Sequence, residues 1–173
     1  GQGMVFWVAE KSSGREYALK MKLKEMRTRL AWIIERREAN ILKQVEHDFI
    51  VNLFHVYETQ SAMFMVMDYL DGGCLWSHIA HIGLLPEHYS CYYTACILEA
   101  LRYLHRLNIV YRDMKAENIV LDWQGRPRLI DFGMAKKFKR TEAEEAEDPY
   151  PTTNYYFAAY LAPEIYRTPS VSN

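Results

Sequence analysis

The amino-acid sequence predicts an α+β fold in which strands come first and helices occupy the middle, and three observations carry that prediction. Two β-rich runs, Val5 to Ala9 and Tyr17 to Met21, flank Lys11-Ser12-Ser13-Gly14, where Ser-Ser-Gly supplies turn chemistry for a hairpin. From about Lys24 to Val45 the apolar residues recur at a helical period instead. After two long apolar stretches in the middle, the chain breaks into short strands and loops.

Placed at about 100° per residue, Ala31, Ile34, Ile41, Leu42 and Val45 fall within one stripe of the first helix, with Glu38 in the middle of it. Ile50 to Tyr57 and Ala62 to Tyr69 read as strands, the second closing at Asp71-Gly72-Gly73. Leu75 to Ile82 and Pro86 to Leu107 read as helices, the second carrying Ala95, Leu98, Leu101, Tyr103 and Leu104 at three- and four-residue spacings. No internal repeat is visible, and the one biased segment runs from Lys136 to Asp148.

Composition bounds the function. A chain of 173 residues with 50% hydrophobic side chains suits one domain, or part of a larger one, with a sizeable core, which excludes a disordered or disulfide-stapled reading. Lys plus Arg number 21 against 22 Asp plus Glu, a formal net charge of −1, so no overall field argues for nucleic acid or an anionic membrane as partner. Cys74, Cys91 and Cys96 form neither an even set nor a C-x-x-C, and they read as free thiols in a reducing, cytoplasmic or otherwise intracellular setting. No apolar run reaches the roughly 18 residues a membrane span requires, and the N-terminus has no signal-peptide layout. Position 1 is not Met, so the sequence is expected to be a piece of a longer chain.

Glu38 needs a chemical explanation, because an ionised carboxylate on an apolar face is costly unless a cation meets it. In Tyr17-Ala18-Leu19-Lys20, strand alternation points Ala18 and Lys20 to one face, which offers a cation beside a small residue that leaves room for a flat ligand. On these two residues alone, a solvated Glu and a solvated Lys is the plainer reading. The decisive stretch is Tyr111-Arg112-Asp113-Met114-Lys115-Ala116-Glu117-Asn118, followed thirteen residues after Asn118 by Asp131-Phe132-Gly133. An Asp, a Lys two on and an Asn five on can aim a carboxylate, an ammonium and an amide at one point, and the second loop adds another carboxylate. Phosphoryl transfer from a nucleotide needs such a set: an acceptor for a hydroxyl proton, a cation for the moving group and oxygen ligands for magnesium.

With Ala162-Pro163-Glu164 following in order, these motifs resemble those of the protein kinases. The resemblance covers essentially the whole chain. Tyr before Arg-Asp, together with Tyr-Ala-Leu-Lys, Asp-Tyr-Leu-Asp-Gly-Gly and Tyr-Leu-Ala-Pro-Glu, is similar to the AGC group of serine/threonine kinases, and Lys115 also fits serine/threonine specificity. It implies a bilobal fold truncated at both ends. Residues 1–70 would form a small antiparallel sheet lobe with one helix and the hinge, and 71–173 an incomplete, mainly helical lobe. It implies ATP and Mg2+ as cofactors, a protein substrate and an upstream activating kinase. Asp113 would orient the substrate hydroxyl as base, with Lys115 beside the γ-phosphate, and Asn118 and Asp131 would hold magnesium. Lys20 would take the α/β-phosphates and pair with Glu38. Met67 would be the gatekeeper, the backbones of Asp68 and Leu70 would meet the purine edge, and Val5, Ala18 and Val120 would sandwich the ring; a methionine-rich strand is otherwise plain core. Leu42, Leu53, Tyr111 and Phe132 match the four residues that stack in active members.

Departures from the pattern qualify this. Phe157 stands where the group carries a threonine near Asp113 and Lys115, a loss on the order of 1 kcal/mol directly that also alters the floor on which a peptide lies. Gly72-Gly73-Cys74 replaces Gly-Gly-Glu and removes an acid, while Glu117 remains, so a preference for basic substrates should be weaker. Ala116 replaces the usual proline. The segment KKFKRTEAEEAED reads as a solvated face rather than a docking site. Thr153 aligns with the activation-loop phosphorylation site, with Thr152 beside it, and Arg112 and Lys136 would receive the phosphate. These departures keep a second class open, a nucleotide-binding pseudokinase or scaffold. The sequence stops shortly after Glu164, so the piece alone is expected to be inactive.

The opening GQGMVFWV allows two alignments with a glycine-rich phosphate loop. Taking Gly1 and Gly3 as the first two glycines puts Phe6 at the third and makes Val8 the adenine-facing valine, only twelve residues before Lys20. Taking Gly3 as the third makes Val5 that valine, fifteen residues before Lys20, and leaves an ordinary strand leading to the turn. The second is preferred, and it expects two further glycines just upstream.

Overall fold

The computed structural model of the chain describes residues 3–24, 29–138 and 160. Four strands, β1 (Met4–Ala9), β2 (Glu16–Leu23), β3 (Leu53–Glu58) and β4 (Ala62–Asp68), make one antiparallel sheet in the order β1-β2-β4-β3. The β1–β2 hairpin closes where expected, with Gly14 N–H donating to Glu10 O at 2.8 Å and Glu10 N–H donating to Arg15 O at 2.8 Å. Cross-strand partners share a face of a sheet. Val5 lies opposite Lys20 and Lys20 opposite Met65, while Trp7 lies opposite Ala18 and Ala18 opposite Met67. One face therefore presents Val5, Trp7, Ala18, Lys20, Met65 and Met67. Val8 lies opposite Tyr17, on the other face. At the start of β1 the chain runs so close to β2 that a Cβ on Gly3 would stand 2.6 Å from Met21 O.

Helix α1 (Arg29–Leu42) covers the sheet. Ile41, Leu42 and Val45 of the expected stripe are buried, as is Glu38 between them; the side chains of Ala31 and Ile34 lie outside the described residues. The helix is shorter than the sequence implies at its C-terminal end. Gln44 N–H donates to Ile41 O at 2.9 Å and Val45 N–H to Leu42 O at 3.3 Å, a tightening into i to i+3 bonds that ends it while still burying Val45.

The expected strand from Ile50 begins only at Leu53, and a long-range partner explains why. Val51 N–H donates to Leu129 O at 3.0 Å and Leu129 N–H to Phe49 O at 2.9 Å, so this segment pairs with the second half of the chain. That half contains α2 (Leu75–Ile82), α3 (Glu87–Arg106), β5 (Ile109–Val110), a 3-10 turn (Ala116–Asn118), β6 (Ile119–Leu121), β7 (Pro127–Leu129) and β8 (Lys136–Lys137). β6 pairs with β7 and β5 with β8, both antiparallel. A single cluster of buried residues includes Ile41, Leu42 and Met65 from the sheet side and Leu104, Ile109, Tyr111, Leu129 and Phe132 from the other.

Helix α3 packs through Cys96, Ile97, Ala100 and Leu104, with Tyr93 and Leu101 flanking. Ala95 and Leu98, two of the apolar residues that suggested this helix, point away from that face, and Leu98 is 59% exposed. In the complete protein, Leu104→Ala is expected to cost about 2–5 kcal/mol by denaturant unfolding, whereas Leu98→Ala should stay near ±0.5 kcal/mol if that face is solvated there too.

Candidate active site

The site lies where the sheet meets the loops after α3. Lys20 and Glu38 come together as their neighbours dictate: β2 alternation turns Lys20 inward, and the α1 stripe carries Glu38 to meet it. Lys20 Nζ donates to Glu38 Oε1 at 2.7 Å and to Asp131 Oδ1 at 3.2 Å. Glu38 is 1% exposed, so its charge depends on cations brought to it inside the fold. Burial alone would lower the Lys20 pKa, but the charges of Glu38 and Asp131 overcome it and hold the ammonium above the usual lysine value.

Asp131 has a left-handed backbone, φ 57°, unusual for a residue with a side chain. The conformation lets Asp131 Oδ1 accept from Gly133 N–H at 3.2 Å as well as from Lys20. Arg112 is also left-handed, φ 65°, and its Nε donates to Met134 O at 2.8 Å, tying the loop after β5 to the segment after Asp131. Tyr111, fully buried, donates its hydroxyl to Ile130 O and meets the Phe132 ring edge-on at 5.1 Å. Burial, with the charges of Asp131 and Asp113, pushes the Tyr111 phenol well above its ordinary range. Leu42 is buried in the same core and Leu53 packs against it.

Asp113 is held from two sides. Lys115 Nζ lies 3.1 Å from Oδ1 and 3.0 Å from Oδ2, and Asn118 Nδ2 donates to Oδ2 at 2.7 Å and to the Asp113 carbonyl at 2.8 Å. With its amide nitrogen committed to Asp113, Asn118 keeps its amide oxygen for another partner. That oxygen and the second carboxylate oxygen of Asp131 are hard donors of the kind magnesium takes, so the residues present fit such an ion. Among the described residues no cluster of three or more His, Cys, Asp or Glu is placed to hold a metal ion.

The strand end at Asp68 is anchored independently of any ligand. Its N–H donates to Asn52 O at 3.1 Å, and its carboxylate accepts from Asn52 N–H and Nδ2, both at 2.9 Å. Met67 is nearly buried, Ala18 and Val120 half-buried, and Val5 60% exposed. Cys74 Sγ faces the carbonyls of Ala116 and Glu117 at 3.5 and 3.6 Å, which fastens the Gly-Gly-Cys turn to the 3-10 turn. Gly72 has no room for a Cβ, which would meet Asp122 O at 2.5 Å. All three cysteines are free, and no helix among the described residues is long and apolar enough to cross a membrane. Lys136 sits in β8 with its ammonium 4.8 Å from the Phe138 ring centroid. Thr152, Thr153, Phe157 and Ala162-Pro163-Glu164 lie outside the described residues. One residue the motifs did not single out joins the site: Lys22 Nζ reaches Glu38 Oε2 at 2.5 Å. The signal was its place two residues after Lys20, on the same strand face.

The family model "Protein kinase domain" matches residues 1–173. The chain belongs to the protein kinase family. Protein kinase 3 of Dictyostelium discoideum is 36% identical over 167 residues, covering 94% of this chain and 18% of that protein. Serine/threonine-protein kinase Sgk2 of mouse is 37% identical over 175 residues, covering 95% of this chain and 44% of Sgk2. AtPK2/AtPK19 of Arabidopsis thaliana, also a serine/threonine-protein kinase, is 35% identical over 172 residues, covering 95% and 34%. The chain thus spans less than half the length of these relatives. The four-stranded antiparallel sheet with its helix, followed by helices, is the kinase fold expected from the motifs, in part.

The ion pair between Lys20 and Asp131 has a pH signature. Burial works to raise the Asp131 pKa, but the Lys20 charge, the Gly133 N–H and Lys22 together hold it below the ordinary 3.8. A carboxyl depressed in the folded state contributes stability that is present above the unfolded pKa and lost as pH falls through the folded one. In the complete protein, the melting-temperature advantage of wild type over Asp131→Asn should therefore persist down to about pH 4 and shrink below it. An advantage unchanged at about pH 2 would contradict the pairing.

Proposed function

We propose that the complete protein transfers the γ-phosphoryl group of ATP to serine or threonine hydroxyls of protein substrates, with Asp113 as the base. The observation that carries this reading is the Asp113 carboxylate, oriented jointly by Lys115 and Asn118 beside the Lys20–Glu38–Asp131 cluster. Lys115 neutralises Asp113 in the resting site and stands ready for the negative phosphoryl oxygens. Asp113 accepts the hydroxyl proton as the substrate oxygen attacks, and Lys20 holds the α/β-phosphates. Asn118 and Asp131 would hold the magnesium, which supplies charge neutralisation across the phosphates. Since the Asp68 N–H is already used, its carbonyl and the Leu70 backbone are the groups left for the purine edge, below Met67 and between Val5, Ala18 and Val120. Gly3 would border the phosphates. An intracellular setting follows from this chemistry and the free thiols.

Glu117 has one carboxylate oxygen buried without a hydrogen-bond partner among the described residues, which supports some preference for a basic substrate side chain. Thr153 is proposed as the site at which an upstream kinase acts, with Arg112 and Lys136 receiving the phosphate. A nucleotide-binding scaffold is the second reading, favoured by Cys74, whose thiol faces backbone carbonyls where the group carries an acid.

With magnesium-ATP and a peptide library, Asp113→Asn in the complete protein should lower kcat by about 10²–10⁴-fold while nucleotide affinity changes little. Nucleotide binding with no transfer by wild type would support the scaffold instead. Thr153→Ala should also reduce turnover, and turnover equal to wild type would remove Thr153 from the scheme.

A further inference from the structure

Alternation along β2 places more than Lys20. The Lys22 side chain is 7% exposed, and its ammonium takes Glu38 Oε2 while Lys20 takes Oε1. Lys24, next in the alternation, lies 4.6 Å from the Trp32 ring centroid in α1 and donates to Glu58 Oε1 at 2.8 Å. The other oxygen of Glu58 accepts from Arg36 of α1 at 2.8 Å. Lys20 and Lys22 of β2 thus meet α1 at Glu38, and Lys24, just past the strand, meets it at Trp32.

A surface lysine would not be buried, and a buried one is expensive. Burial is the largest influence on Lys22 and lowers its pKa, with Lys20 adding repulsion and Glu38 working against both. An apolar side chain in this place would avoid that desolvation, so the charge at Lys22 calls for a reason. Charge balance supplies one. Two carboxylates, Glu38 and Asp131, face two ammoniums, and Lys20 is in contact with both acids. If Lys20 must also serve nucleotide phosphates, it cannot be the sole anchor of Glu38 without dividing its donors three ways. The Lys22 stem is itself packed: a Cβ on Gly3 would lie 3.0 Å from its Cγ.

We propose that Lys22 is a positioning residue for phosphoryl transfer: it holds Glu38, and with it α1, against β2, so that Lys20 can leave Asp131 for the nucleotide phosphates. The proposal rests on the kinase reading of the site. It makes the docked position of α1 a property of the nucleotide-free chain.

The test uses the complete protein as wild type, Lys22→Met, Lys22→Gln and Lys22→Arg. Its readouts are ATP and peptide KM, kcat, magnesium-ADP affinity, melting temperature and hydrogen exchange of α1 amides without nucleotide. Lys22→Met is expected to raise ATP KM and speed α1 exchange about tenfold, the scale of one lost hydrogen bond to a charged group. Peptide KM should be unchanged, Lys22→Gln intermediate and Lys22→Arg close to wild type. ATP KM and α1 exchange within about twofold of wild type in the methionine variant would overturn the proposal. So would losses that merely follow the folded fraction, with arginine no better than methionine. Should the methionine variant not fold, Lys22→Gln decides by the same criteria. If wild type transfers no phosphate, the kinase reading fails separately, and magnesium-ADP affinity with α1 exchange still decides the role of Lys22.

Discussion

The Glu38 carboxylate is the constraint on which the rest of this structure depends. It sits on α1, 1% exposed, and every group that neutralises it comes from elsewhere in the chain: Lys20 and Lys22 from β2, with Asp131 joined through Lys20 from the far half. A buried ion pair adds little net stability against an apolar substitute, but breaking one costs about 3–5 kcal/mol. That asymmetry makes the cluster a device for geometry more than for stability. It allows one relative placement of sheet, helix and Asp131 loop in which all the charges are met, and that placement brings Asp131 to the loop carrying Asp113 and Asn118.

Glu38 breaks a local pattern, a charge inside an apolar stripe, but on Glu38 and Lys20 alone a solvated pair is the plainer reading. The motifs that follow, Asp113 to Asn118 and Asp131-Phe132-Gly133, are what join the two. The hairpin was legible without them, since Ser12-Ser13-Gly14 specifies a turn through local backbone preference alone. Ile50 and Val51 show where such reading stops. Their β-rich composition is real, but the partner that receives Val51 N–H is Leu129, almost eighty positions away, and no local pattern names it. Leu98 makes the same point about faces. The apolar residues of α3 are spread widely enough that spacing alone admits several stripes, and packing of Ile97, Ala100 and Leu104 against the common core selects one.

The backbone conformation of the site loops was hidden. Arg112 and Asp131 both adopt positive φ although neither is glycine, a conformation that costs roughly 1–2 kcal/mol for a residue with a Cβ. Each is held there by contacts the sequence does not display: the Met134 carbonyl on Arg112, and Lys20 with the Gly133 N–H on Asp131. Strained residues that persist because their surroundings over-determine them are a feature of functional sites. Among the described residues Arg112 and Asp131 lie in the two loops whose side chains must converge, while the third such residue, Asn108 (φ 58°), follows α3. The ion cluster and the strained loops therefore form one system: loss of Lys20 would release Asp131 and leave Glu38 to Lys22 alone.

The opening glycines show how two physical requirements overlap at one position. Register separates Val5 from Val8 plainly, because Val5 shares a face with Ala18 and Lys20 whereas Val8 lies opposite Tyr17 on the other side. Gly3 is less simple. Its lack of a Cβ is already demanded by the Met21 carbonyl and by the Lys22 stem, so glycine would be needed there even if no phosphate ever approached. A glycine motif read from sequence attributes that residue wholly to the ligand. The packing attributes it equally to β2, and through Lys22 to the same cluster that fixes Glu38. The close approach of β1 to β2 and the charge balance at α1 thus meet at position 3, where a larger residue would press first on the Met21 carbonyl and next on the Lys22 stem.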